Sequence, residues 1–222
     1  MTATQKKLFF LGLFTIVGFL SLQIPFNKLA GSNVSFTLFD FFGPIAGAFL
    51  GPVFGIGSVL AVELVNFFIK HTPITSASII RLFPTLFAVY YFAILSKKPA
   101  NSKWILAVPI LAIITFLAHP IGRQVFYYPL MFWFIPLIAY RFRKNLLMRS
   151  LGATFIAHSV GGAAWIWALN LPAKVWIGLI PVVIEERILF AAGIAASYIV
   201  VKHTLSYLAS KKILPRLENA IS

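Results

Sequence analysis

The chain has 222 residues, 60% of them hydrophobic and 11% charged. A soluble domain of this length carries about a quarter charged residues, so the composition excludes a single water-soluble core and points to lipid as the surrounding medium. The net charge of +14 would suggest nucleic acid in a soluble protein, but most Lys and Arg residues lie between apolar stretches, as the positive-inside rule requires; no nucleic-acid partner is expected. The absence of cysteine removes disulfides, thiol chemistry and cysteine metal ligands.

Eight apolar segments follow one another. The first, 8–26, comes after Lys6 and Lys7. No small-x-small cleavage site follows it, so it reads as a retained span and not as a signal peptide. The second and third, 36–50 and 53–69, are short and separated by Gly51-Pro52, a helix-breaking turn. They form either two tilted short spans or one re-entrant hairpin. The remaining segments are 77–96, 104–118, 124–140, 150–169 and 175–201. A span needs roughly 20 residues to cross about 30 Å of hydrocarbon. The expected fold is an all-α integral membrane protein, a bundle of about six to eight transmembrane helices that includes a short Gly-Pro helical hairpin. Residues 1–202 form one membrane domain, and 203–222 an amphipathic cytoplasmic tail.

Charge sets the orientation. With the N-terminus inside, thirteen of the 19 Lys and Arg residues fall on the cytoplasmic side. Lys28, Lys70, Arg81, Arg123 and Lys174 fall outside, and Arg187 lies within a span. This agreement requires an even number of crossings, with both termini on the cytoplasmic side of the cell membrane.

Ionisable groups at membrane depth cost about 2.5–3.5 kcal/mol on insertion scales, so each suggests a function. Of five acids, Asp40, Glu63, Glu185 and Glu186 lie within apolar segments. Glu63, Asn66 and Lys70 share one helix face at i, i+3 and i+7. His158, Gly161, Gly162 and Trp165 share another, where the glycines leave room beside the imidazole and indole. Pro181 loosens the helix one turn before Glu185. On the assigned topology, Asp40, Glu63, Asn66, Arg81, Arg123 and Trp165 occupy the outer half, with His119, Gln124 and Asn170. They converge on a cavity open to the outside. The candidate substrate-binding residues are therefore Asp40, Glu63, Asn66, Arg81, Arg123, His158, Trp165, Glu185 and Glu186. The alternative is internal ion pairing, Glu63 with Arg81 and Glu185 or Glu186 with Arg123 or Arg187. No metal, cofactor or catalytic residue is expected. Small residues repeat at Gly43, Gly47, Gly51 and Gly55, at Ala153, Ala157 and Gly161, and at Ala192 and Ala196. They suit close helix packing within the chain or against a partner.

Two stretches carry a family resemblance. Phe36–Asn66 contains Phe-Asp-Phe-Phe-Gly-Pro, then Gly51-Pro52 between two short helices, then Glu63. Near the end, Ala157-His158-Ser159-Val160-Gly161-Gly162 precedes a last helix carrying Glu185 and Glu186. Over 8–70 and 150–202 the chain resembles the substrate-binding S components of energy-coupling factor vitamin transporters. Those usually have six spans, and their first span often carries an Ala-x-x-x-Ala docking pattern that this one lacks. The resemblance implies a binder of a vitamin or similar small molecule on the outer side, with uptake through a separate transmembrane coupling subunit and an ATPase pair. No Walker A motif occurs here. The alternatives are a self-contained permease or sensor domain and an intramembrane protease of the Glu-Glu type. The last would need Glu185-Glu186 to work with His119 and His158.

Overall fold

Helices occupy all eight apolar segments in a computed structural model that describes residues 3–28, 35–96, 103–169 and 171–215. Helix α1 (Ala3–Leu22) stops short of Pro25. The chain then enters strand β1 (Pro25–Lys28), which pairs antiparallel with β2 (Ser35–Thr37). A register irregularity separates Pro25 from Asn27, which suits a proline that cannot donate to the ladder.

The Gly-Pro hairpin is present and buried. Helix α2 (Phe39–Phe42), a 3-10 turn at Gly43–Ile45 and helix α3 (Ala46–Leu50) form one irregular helical stretch. Every residue from Phe42 to Leu50 is buried. Twelve residues reach only about 18 Å, so the stretch lies inside the bundle and does not match a full hydrocarbon thickness. Gly51 ends it at φ +84°, a backbone state that costs glycine little. Pro52 then opens α4 (Pro52–Ile69), where a missing N–H is harmless. The glycine repeat packs within the chain. A Cβ on Gly55 would lie 2.6 Å from the Cα of Gly47, and one on Gly47 would lie 2.8 Å from the Cβ of Ala93.

Two expected helices are broken, both at proline. The segment 77–96 divides into α5 (Ser76–Ile80) and α6 (Pro84–Ser96). Thr75 and Ser78 cap α5 reciprocally, and the chain tightens through Arg81, Leu82 and Phe83 before Pro84. Helix α7 (Ala107–Ala118) follows a 3-10 turn at Lys103–Leu106. His119 Nδ1 accepts from the Ile121 N–H at 3.2 Å and caps the short α8 (Pro120–Gln124). The segment 124–140 divides at Phe134 into α9 (Tyr127–Trp133) and α10 (Ile135–Arg141). Pro136 has no N–H for the helical ladder there.

The last two helices are long. Helix α11 (Leu146–Leu169) has 24 residues and α12 (Ala173–Ser210) has 38. At about 57 Å, α12 exceeds a hydrocarbon core and runs through residue 202 without a break into the expected tail; 216–222 lie outside the described residues.

Among the described residues, three stretches are long and apolar enough to cross a membrane: Thr4–Leu22, Pro52–Ile69 and Ser76–Ser96. Phe39–Leu50 and Lys103–Ala118 are apolar but shorter. That is fewer than the six to eight spans expected from hydropathy. The segment 124–140 divides at Phe134, and α11 and α12 carry most of the buried polar groups, Ser150, Thr154, Ser159, Glu186 and Arg187. Two apolar clusters fill the interior. One gathers Phe10, Phe14, Phe39, Phe49 and Phe92, and the other Phe116, Tyr128, Trp133, Phe155 and Trp176. Helix α11 belongs to both, with Ala153 and Ile156 in the first and Phe155 and Ile166 in the second.

Candidate functional site

The inward face of α12 carries Val183, Glu186, Arg187, Phe190 and Ile194, spaced near helical periodicity. Two of these five are charged. Glu186 is 5% exposed and Arg187 9%. The Arg187 Nη2 donates to Glu186 Oε2 at 3.3 Å, and Nη1 donates to Thr154 Oγ1 on α11 at 3.1 Å. The guanidinium lies over the Phe190 ring at 4.4 Å and near Phe36 at 5.8 Å. This seat suits arginine, whose planar, weakly hydrated cation stacks on aromatic faces. One nitrogen remains: Arg187 Nε is buried without a hydrogen-bond partner among the described residues.

Beside this pair stands a polar chain built on His158. The Trp133 indole N–H can only donate, and it reaches His158 Nδ1 at 3.1 Å. Nδ1 must therefore be the unprotonated nitrogen. In the neutral ring the proton then sits on Nε2, which donates to the Tyr128 hydroxyl oxygen at 3.1 Å. The hydroxyl hydrogen of Tyr128 is left to point elsewhere. Tyr128 packs edge-on to Trp176 at 5.3 Å, whose indole N–H is also buried without a partner among the described residues. Tyr128 lies in the electrostatic field of Arg187 and Glu186. Two side-chain donors of this region, Arg187 Nε and Trp176 Nε1, are therefore buried without a partner among the described residues. An unmet buried donor costs about 1–3 kcal/mol, so the arrangement favours a guest that offers acceptor oxygens.

The other charges come from the front of the chain. Asp40 Oδ2 accepts from the Thr37 N–H at 2.8 Å, which ties β2 to α2. The same carboxylate interacts electrostatically with Arg187 and Arg81. Glu63 on α4 interacts with Asp40 and Arg81. Three carboxylates, Asp40, Glu63 and Glu186, thus share a region with two guanidinium groups, from the start of α2, the middle of α4, the turn after α5 and the middle of α12.

Among the nine residues expected at the site, Asp40, Glu63, Arg81 and Glu186 are brought together. His158 joins them through the field of Arg187. The remaining four lie apart. Asn66 Oδ1 accepts from Gln23 Nε2 at 3.3 Å, which fastens α4 to the turn after α1. Arg123 is exposed and donates to the Ala118 carbonyl at 3.3 Å. It ties α8 to the end of α7 and pairs with no carboxylate among the described residues. Trp165 is half-buried against the second apolar cluster. Glu185 faces outward, exposed beside Ile184 and Ile188. Of the expected ion pairs, Glu186 with Arg187 forms. Glu63 and Arg81 interact without closing to a salt bridge.

The space expected beside Gly161 and Gly162 is filled by protein. A Cβ on Gly162 would meet Trp133 Cζ2 at 2.6 Å. The glycine admits the indole that hydrogen-bonds His158. Sequence spacing does not single out Thr154, Tyr128 or Trp133 as site residues. Arg187 was foreseen only as a counter-ion, although its place next to Glu186 was a signal.

No family model matches the chain, and no solved structure matches it. An uncharacterised protein of Methanocaldococcus jannaschii is 29% identical over 203 residues, which cover 83% of this chain and 67% of that one.

Proposed function

We propose that the chain is a multi-pass cell-membrane protein of six to eight crossings, with both termini in the cytoplasm, that binds a small molecule in its outer half. Three helical stretches of span length support membrane embedding. So does an apolar exterior: Leu20, Val53, Phe68, Leu111, Ile188 and Val200 are each more than half exposed, a surface that water would penalise.

The observation that carries the binding reading is Arg187. A guanidinium this buried is costly unless its donors are met, and its Nε has no partner among the described residues. A ligand with a carboxylate or carbonyl group would satisfy it. The carboxylates of Asp40 and Glu63, which interact with Arg81, would receive a cationic or amide-bearing end. A heteroaromatic zwitterion, including vitamin-like molecules, fits this division of charge.

The resemblance to S components of energy-coupling factor transporters adds a place in uptake, with a transmembrane coupling subunit and an ATPase pair as partners. Binding is favoured over hydrolysis because both nitrogens of His158 are engaged, by Trp133 and Tyr128. His119 Nδ1 is engaged by the Ile121 N–H.

The test is a thermal-shift screen of vitamins and nucleobases on the purified chain. A ligand that binds below about micromolar affinity, and whose effect is lost in Arg187→Lys and Glu63→Ala, supports the reading. No stabilisation by any such compound, together with solute flux in liposomes that hold this chain alone, would replace it with a self-contained permease.

A further inference from the structure

A second, half-buried guanidinium lies away from this site, where the α10–α11 turn meets the later part of α12. Arg149 is packed between two rings, its Cζ 4.6 Å from the Phe92 centroid and 5.1 Å from that of Tyr198. It also hydrogen-bonds the Tyr198 side chain. Its Nε is buried and without a hydrogen-bond partner among the described residues, and so is the hydroxyl of Tyr140. Tyr140 interacts with Tyr91, whose hydroxyl lies against Gly152, one turn beyond Arg149. The Arg143 guanidinium covers the Tyr140 ring at 5.2 Å.

No acid among the described residues balances the charge. The acids of the described chain are Asp40, Glu63, Glu185 and Glu186, and none of them pairs with Arg149 or Arg143 among the described residues. The neighbouring turn adds Arg141 and Lys144. A half-buried cation without a counter-charge is disfavoured against an apolar interior. Aromatic faces compensate only in part. Arg187 solves the same problem with Glu186, whereas Arg149 has no acid partner among the described residues. The adjacent surface is apolar, with Phe142 55% exposed and Leu147 53%. A ligand that joins an oxyanion to acyl chains would cover both.

We propose that Arg149, Tyr140 and Arg143 form an anion site for a phosphate group at the basic end of the bundle, and that its occupant is the headgroup of an anionic phospholipid. Planar guanidinium donors match phosphate oxygens, and basic clefts between helices at the cytoplasmic boundary select such headgroups. The site rests on the membrane reading and is independent of what binds near Arg187.

The test uses the full chain purified in detergent. Its melting temperature is followed as phosphatidylglycerol, phosphatidylcholine or inorganic phosphate is added. Phosphatidylglycerol is expected to raise the melting temperature where phosphatidylcholine does not. Arg143→Gln, a change at a partly exposed side chain, is expected to weaken the apparent lipid affinity about fivefold. Arg149→Lys, which keeps the charge but loses Nε, is expected to weaken it further. Equal stabilisation by inorganic phosphate would keep the site and assign it to a soluble anion. Identical responses to both lipids and to phosphate would overturn the proposal, as would a full phosphatidylglycerol effect in both variants. Flotation with vesicles after alkaline carbonate washing tests membrane embedding separately. A chain that floats but shows no anion preference refutes this site alone, and a chain that fails to float refutes the membrane reading as well.

Discussion

Gly47 and Gly55 bring α3 and α4 into backbone contact: a Cβ added to Gly55 would sit 2.6 Å from the Gly47 Cα and 2.7 Å from its nitrogen. Backbone atoms cannot rotate aside as a side chain can. The buried hairpin therefore exists only because both positions lack a Cβ, and Asp40 and Glu63 are carried on its two arms.

Gly55→Val is expected to lower stability by about 1–3 kcal/mol or more, the range for overpacking a close interface. Gly57→Ala is the control, because nothing lies within 4 Å of a Cβ there; it is expected to change little. Thermal unfolding of both variants in the same detergent is the measurement. Equal melting temperatures would mean that α3 and α4 do not meet in this way.

Arg187→Met is expected to cost about 3–5 kcal/mol, because it strands the carboxylate of Glu186 in an apolar setting. Adding Glu186→Gln is expected to recover part of that loss. A double-mutant cycle reads the coupling directly. Additive effects would show that the 3.3 Å contact carries no energy.

Trp133→Phe retains an aromatic ring beside Gly162 but removes the only donor to His158 Nδ1 among the described residues. A cost of about 1–3 kcal/mol is expected for the acceptor left unpaired. Nitrogen NMR on labelled histidine adds a sharper readout. The wild type is expected to show Nε2 protonated and Nδ1 bare, and the variant to lose that preference. An Nδ1-protonated wild-type ring would refute the assigned hydrogen-bond direction.

Tyr91→Phe deletes one hydroxyl. In the wild type it donates to the Pro136 carbonyl at 2.7 Å, where α9 gives way to α10. The loss is expected to be about 0.5–1.5 kcal/mol, and faster amide exchange is expected at the α9–α10 break. Unchanged exchange there would separate the Tyr91 bond from the stability of the break.

The sequence made the helical character legible, and all eight apolar segments hold helix. The hairpin at Gly51-Pro52 was also readable, because a residue at φ +84° followed by a helix-opening proline has few other uses. Proline breaks were harder to foresee. Pro84 and Pro136 lie inside apolar runs whose hydropathy continues across them, and hydropathy does not register a missing N–H. The glycines beside His158 were legible as free space, but what filled that space was not, since Trp133 arrives from a helix 25 residues earlier.

By itself the sequence determined that this chain is helical, strongly apolar and basic at its segment ends, and that a few acids lie where they are costly. Those properties follow from composition and local spacing, which need no knowledge of neighbours. Only the tertiary structure decided which costly residues meet. Glu186 reaches Arg187, and Arg187 reaches Thr154, 33 positions away. Arg123 lies apart from the acids, and Arg149 has no counter-charge among the described residues. Electrostatic pairing depends on distance in space, which composition and local spacing do not fix.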